Sequence, residues 1–309
     1  MKKLEGIPRV RSLYLVLTVY VLLVLSRLLN AKLQSSDAIL NTALLGMLIL
    51  IIPTAAYIKL MSAKKLPSLR LRVPSAEMLP SIVAATLVII CQSLLIGILF
   101  GNLKAFSGSF TLYDTFISAS DGSLIGKILL FLAYAILPAL SEELIFRSVM
   151  CAECEKYGVF CGTVASSFFF AMIHFDLAKF PIYFFAGVIL ALVRYSTRCA
   201  VSAVIVHVLY NAFAIAFQSQ IYAFYNNAGG PDLFIFLLTV IFLLSLAALF
   251  AFSSSLYRKY AKRNYFPEPY STVKLKESLK NLGKLLISYE SIACVLVFVL
   301  TLIIGAIAG

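Results

Sequence analysis

The chain of 309 residues holds only two histidines, His174 and His207, and both lie in strongly apolar stretches. A third apolar stretch carries Ser141-Glu142-Glu143-Leu144-Ile145-Phe146-Arg147. Ionisable groups in such surroundings are costly and mark function by default. Neighbouring helical positions are about 100° apart, so Glu142 and Glu143 face different directions. Glu143 and Arg147 stand at i, i+4 with the acid first, the favourable order for a helical ion pair. They read as a neutralised buried pair, which leaves Glu142 without a local partner. A carboxylate without a partner in a low-dielectric site accepts a proton more readily than one in water. His207 and Asn211 are also four apart and share a helix face. His174 comes from another helix.

One free carboxylate, two imidazoles and one amide suit hydrolysis. Glu142 with His174 can hold and deprotonate a water. His207 and Asn211 can donate to a developing oxyanion. No Ser or Cys nucleophile is required, and no G-x-S-x-G occurs. A divalent metal such as zinc is the alternative, with Glu142, His174 and His207 as ligands and water as the fourth. The H-E-x-x-H zinc helix is absent. Cys151 and Cys154 form a C-x-x-C, and Cys161 is a third thiol without an obvious fourth ligand; reduced thiols are the expectation. From spacing alone, a transporter or binding protein with an ion or substrate relay competes with the hydrolase reading on even terms.

The elements that must position these groups are membrane spans. Apolar residues make up 61% of the chain and charged ones 13%, against about 25% charged in ordinary soluble domains. That composition excludes a soluble enzyme, a disordered chain and a disulfide scaffold. The net charge of +12 is diluted by apolar sequence, so no nucleic-acid partner is expected. A spanning helix needs roughly 20 mainly apolar residues. Nine runs qualify: Leu13–Leu29, Ile39–Leu60, Met78–Leu103, Leu124–Met150, Val159–Phe175, Pro181–Tyr195, Cys199–Phe217, Leu233–Leu256 and Leu285–Ala308. The sixth is short enough to be tilted or re-entrant, and the first reads as an uncleaved anchor.

With the N-terminus inside, alternation leaves only Arg27, Lys32, Lys104, Lys127 and Lys179 outside, out of 26 Lys and Arg. This positive-inside bias predicts an all-α, polytopic bundle of nine spans, N-in and C-out. It would be one membrane domain over 1–309 with the lipid bilayer as its partner, in the plasma membrane if the source is prokaryotic. The polar Lys104–Ser123 segment falls outside. Residues 257–284 fall inside and read as a solvated basic loop, with an interfacial amphipathic helix as the alternative. Pro138, four residues before Glu142, should bend its helix. A site shared with His174 requires that helix to run past Met150 to about Lys156, long and tilted, with the site near mid-membrane.

Three motifs occur in order on separate spans: E-E-x-x-x-R (Glu142, Glu143, Arg147), F-x-x-x-H (Phe170, His174) and H-x-x-x-N (His207, Asn211). Together they resemble the CAAX-protease and bacteriocin-processing family of intramembrane proteases (CPBP or Abi), which includes the type II CAAX prenyl endopeptidases. The resemblance covers residues 124–217. It implies cleavage of a peptide bond in a peptide or lipidated protein substrate. It implies Glu142 and His174 as the water-activating pair, and His207 and Asn211 as oxyanion donors. No cofactor is required on the preferred reading, because Arg147 already sets a positive charge beside the acids; a zinc-type metal is the variant. A non-catalytic bacteriocin-immunity or regulatory scaffold is the competing reading, and a transporter comes third.

Overall fold

A computed structural model describes residues 10–30, 38–62, 68–100, 123–227, 230–262 and 273–308; these residues form helices and connecting turns, with no strand among them. The helices are α1 (Ser12–Asn30), α2 (Ala38–Ser62), α3 (Leu79–Leu99, entered through a 3-10 turn at Ala76–Met78), α4 (Leu124–Tyr157), α5 (Val159–Met172), α6 (Phe180–Thr197), α7 (Ala200–Asn227), α8 (Gly230–Lys262), α9 (Leu275–Leu286) and α10 (Tyr289–Ala308). The expected outer segment Lys104–Ser123 lies outside the described residues apart from Ser123.

Local chemistry sets the boundaries near the centre of the molecule. Ser123 opens α4 by accepting a hydrogen bond from the Gly126 amide at 2.9 Å, the usual role of an N-cap serine. Gly158 separates α4 from α5 at φ +105, a conformation that strains any residue with a Cβ. Pro181 sits in the first turn of α6, where its missing N–H costs nothing.

Six of the described helices are long and apolar enough to cross a membrane: those spanning Ala76–Leu99, Leu124–Tyr157, Phe180–Thr197, Ala200–Asn226, Pro231–Tyr260 and Tyr289–Ile307. Ser12–Leu28, Gly46–Met61 and Val159–Met172 are shorter apolar helices. The protein is an integral multi-pass membrane protein. The sixth apolar run, short in sequence, belongs to α6, an unbroken helix of 18 residues.

Two expectations are corrected. Residues 257–284 are not one loop. Helix α8 continues to Lys262, and Leu275–Leu286 is a helix. It forms because Ser278, Leu282 and Leu285 recur at helical spacing and bury one face, packing on α5; the amphipathic pattern outweighs the basic composition. Arg194, counted as an inner-loop charge, is fully buried. It is held by Glu155 at 3.2 Å and donates to the Arg147 carbonyl at 3.1 Å.

The core is the packing of α5 against α6 and of α4 against α7, with α3 lying across α6, α7 and α8. Helices α5 and α6 meet at Gly187, where an added Cβ would stand 3.0 Å from the Ser167 Cα. Close backbone approach at a small residue is how membrane helices gain contact without a hydrophobic driving force.

Candidate active site

Helices α4 and α5 form an antiparallel pair hinged on Gly158. Glu142 lies 16 residues before the hinge and His174 lies 16 after it. Equal arms put both at the same height. The rungs between them follow this register: Cys151 Sγ is 3.3 Å from Ser166 Oγ, and Phe146 meets Phe170 edge-on with centroids 5.6 Å apart. The apparent mismatch in depth between Glu142 and His174 disappears because α4 extends beyond Met150 to Tyr157. At about 1.5 Å per residue its 34 residues span roughly 50 Å, more than a hydrocarbon core of about 30 Å.

Helix α4 is not a uniform α-helix. It widens into π geometry at Leu132–Ile136 and Leu144–Met150. The Leu137 amide bonds back to the Leu132 carbonyl, and the Cys151 amide to the Phe146 carbonyl. The first widening directly precedes Pro138, which lacks an amide proton. Ser141 donates to the carbonyls of Leu137 at 2.9 Å and Pro138 at 3.0 Å, a back-bonding that also bends helices. The two acids sit on the short α-helical stretch Leu137–Glu143 between the widened turns. Such wide turns recur at functional sites.

Glu143 and Arg147 are both wholly buried, with Oε2 and Nε 3.1 Å apart. Neither atom makes a hydrogen bond, so the attraction is coulombic. Glu143 Oε1 is 3.0 Å from His207 Nδ1. A carboxylate oxygen accepts, so this nitrogen donates and the ring presents Nε2 elsewhere. Arg147 also donates to the Gly187 carbonyl at 3.1 Å, and its guanidinium lies over the Phe170 ring at 4.3 Å. Glu143 is therefore held from two sides. Glu142 is partly exposed, and its buried Oε2 has no hydrogen-bond partner. His207, Glu143 and Arg147 lie within electrostatic reach of it.

His174 Nδ1 is 3.0 Å from the Phe170 carbonyl. A carbonyl only accepts, so Nδ1 carries the proton and Nε2 of the neutral ring is an acceptor. Phe170 meets both imidazoles edge-on, at 5.2 Å from His174 and 5.9 Å from His207. With Arg147 on its face, this phenyl ring is the common wall of the site. Asn211 Nδ2 is 3.4 Å from the Ala135 carbonyl, a long contact beside the first widened turn.

Helical spacing predicts that His207 faces the same space as Asn211; in the fold its partner is Glu143. Helical spacing carries no information on contacts between α4 and α7. Two further residues were missed. Tyr183 of α6 stacks on His174, with centroids 3.7 Å apart and planes 12° from parallel, and lies within electrostatic reach of Glu142. Arg27 of α1 donates to the His174 carbonyl at 3.2 Å and lies over the Phe175 ring at 5.0 Å. That puts a cation on an otherwise unsatisfied carbonyl at the end of α5, where one is favoured. Tyr183 lies in an all-apolar run with no polar neighbour to flag it, whereas Arg27, a charge late in an apolar helix, was a usable signal.

Among the described residues, no group of three His, Cys, Asp or Glu side chains is gathered closely enough to hold a metal ion. His207 Nδ1 is taken by Glu143 and His174 Nδ1 by a carbonyl, which leaves Nε2 of each ring as the nitrogen open to a water or another ligand. The six cysteines are free, buried thiols.

Residues 124–213 match the model of the type II CAAX prenyl endopeptidase Rce1-like family. A 100-residue stretch is 33% identical to the membrane-embedded CAAX protease MroQ of Staphylococcus aureus (strain USA300), covering 30% of this chain and 40% of that protein. The match thus spans well under two thirds of that relative's length. No solved structure matches the chain. The matched segment contains α4, α5, α6 and the half of α7 that bears His207 and Asn211.

Proposed function

On the premise that residues 124–213 belong to the CAAX protease family, we propose that this membrane protein is a glutamate-dependent intramembrane endopeptidase. The observation that carries the reading is the asymmetry of the adjacent acids: Glu143 is held by Arg147 and His207, while Glu142 keeps a buried oxygen without a partner.

In this reading Glu142 and His174 Nε2 bracket a water, and Glu142 takes its proton as the oxygen attacks the scissile carbonyl carbon. His207 and Asn211 donate to the oxygen of the tetrahedral intermediate. That role needs a proton on His207 Nε2 as well as Nδ1, so the imidazolium is the working form. With Glu142 and Glu143 ionised, Arg147 and this imidazolium bring the local charge to zero. Collapse breaks the C–N bond, the proton held by Glu142 passes to the departing amine, and the new carboxylic acid gives its remaining proton to that amine, so a carboxylate and an ammonium leave. Glu143 and Arg147 hold His207 in place. Phe170 packs edge-on against both imidazoles and fixes their spacing. No step runs through a metal.

The substrate class follows from the family resemblance and the site's surroundings: an extended peptide segment, alone or at the end of a lipidated protein, entering from the bilayer. The positive-inside bias supports nine crossings with the N-terminus in the cytoplasm, the three shorter apolar helices included. Cysteine-accessibility mapping of the connecting segments tests that topology.

The deciding experiment is peptide hydrolysis by purified protein in detergent, comparing the parent with Glu142→Gln and His174→Ala. Both variants should lose cleavage while keeping the parental unfolding profile. Equal cleavage by Glu142→Gln would remove the mechanism. A cellular phenotype that persists in that variant would point to a non-catalytic scaffold.

A further inference from the structure

We infer that α9 is a docking surface for anionic phospholipid, lying along the membrane boundary with a leucine edge toward the acyl chains and a lysine edge toward the headgroups. Only Ile287 and Ser288 separate α9 from α10, which is apolar enough to cross the membrane. This elbow is hydrogen-bonded: Ser291 donates through Oγ to the Leu285 carbonyl at 2.7 Å and through its amide to Ser288 Oγ at 3.3 Å. A helix tied so closely to the start of a span is held at the membrane surface.

The inner face of α9 is committed to the bundle. Ser278, Leu282 and Leu285 are buried. Ser278 Oγ accepts from the Cys161 amide at 2.9 Å, one of the first-turn donors of α5 that its own helix cannot satisfy. Asn281 donates to the Tyr157 carbonyl at 3.3 Å, at the end of α4. The Gly158 hinge lies against Ser278, whose Oγ a Cβ at that glycine would strike. With these contacts setting its rotation, the outer face of α9 is fixed too.

That outer face is divided. Leu275 and Leu279, one turn apart, are 61% and 48% exposed. The exposed apolar surface continues across the elbow into Ile287, Tyr289 and Ile292, the last two on α10, whose apolar flank meets acyl chains. Lys276 and Lys280 occupy the next strip around the helix, again one turn apart, and Lys274 precedes the first turn; all three are exposed. Leucines continuous with a lipid-facing helix and lysines beside them match a surface whose outermost layer is anionic and whose next layer is hydrocarbon. The apolar continuity selects a lipid over a soluble acidic partner, which would need the leucine edge wet or covered by protein.

The test uses the full chain in neutral detergent, followed by thermal unfolding during titration with phosphatidylglycerol, phosphatidylcholine or glycerol phosphate. Phosphatidylglycerol should raise the midpoint by several degrees, phosphatidylcholine by much less, and glycerol phosphate not at all. The increment should shrink at high salt, where exposed charges are screened. Replacing Lys274, Lys276 and Lys280 together by Gln should remove the phosphatidylglycerol increment and leave the midpoint in phosphatidylcholine unchanged. Because the replaced side chains are exposed, native mass spectrometry of the same variant supplies a second readout: fewer retained phosphatidylglycerol molecules than in the parent. Equal shifts from both lipids, an undiminished increment in the triple variant, or an equal effect of glycerol phosphate would each overturn the assignment.

Discussion

Helix α4 carries two pairs of closely spaced acids, Glu142 with Glu143 and Glu153 with Glu155, and the protein treats them differently. In the second pair every carboxylate has protein partners. Glu153 accepts from the Ser12 amide at 2.8 Å and from the Tyr57 hydroxyl. Glu155 binds Arg70 at 2.7 Å and Arg194 at 3.2 Å. These contacts tie α1, α2, α6 and the segment before α3 to one end of α4. In the first pair Glu143 is ion-paired with Arg147 and bonded to His207, whereas the buried Oε2 of Glu142 has neither a hydrogen bond nor an ion pair. Buried polar atoms are almost always paired, and one that is not calls for an explanation. Four acids in one helix thus divide into three held by ion pairs or hydrogen bonds to other elements and one, Glu142, whose buried oxygen is not.

The largest effect expected from this division falls on chemistry alone. Glu142→Gln should reduce peptide cleavage by about 10²- to 10⁴-fold, the range for removing a positioned acid–base group, while the unfolding midpoint stays close to that of the parent. A large loss of stability in this variant would erase the contrast. Glu143→Ala should do the opposite in kind: stranding Arg147 as a buried, uncompensated charge costs about 3–5 kcal/mol, read as a lowered unfolding midpoint, and cleavage falls with it. Joint replacement of Glu143 by Ala and Arg147 by Met should recover part of that stability without recovering activity. Glu155→Gln should cost about 1–3 kcal/mol, the penalty for leaving buried partners unmatched, with turnover per folded molecule retained. The smallest effect should come from the stack on His174. Tyr183→Leu should lower cleavage by roughly tenfold or less, in line with about 0.5–1.5 kcal/mol for an aromatic pair, and Tyr183→Phe should restore it. Separate loss of activity in the phenylalanine variant would assign the hydroxyl a part in the reaction.

What the sequence made legible was governed by local spacing. The Glu143–Arg147 pair follows from i, i+4 geometry, and the isolation of Glu142 follows from the same step. The all-helical membrane architecture follows from composition and run length. The extension of α4 toward Lys156 was deduced from the requirement that Glu142 and His174 share a level, and the helix ends at Tyr157. Partners far apart in sequence were beyond reach. His207 meets Glu143 across 64 positions, and Arg70 meets Glu155 across 85. No periodicity encodes such contacts. The widened turns of α4 were equally hidden, since π geometry arises from how Pro138 and the packing around it are accommodated. Arg194 was misjudged because its place at the end of an apolar run looks the same whether the side chain reaches water or folds inward onto Glu155.

The symmetric hinge at Gly158 has a consequence for how this segment can vary. Sixteen residues on either side fix the rung on which Glu142 and His174 stand. Inserting or deleting one residue in a single arm would move one of them by about 1.5 Å and swing it about 100° around its helix. On the proposed mechanism, neither change would leave the two groups facing the same water. Length changes between Glu142 and His174 are therefore barred unless both arms change together, and a matched pair of insertions still turns both groups away from α7. The stretch behaves as a gauge of fixed length, so natural variants should differ here by substitution and keep gains and losses of chain for the outer connections.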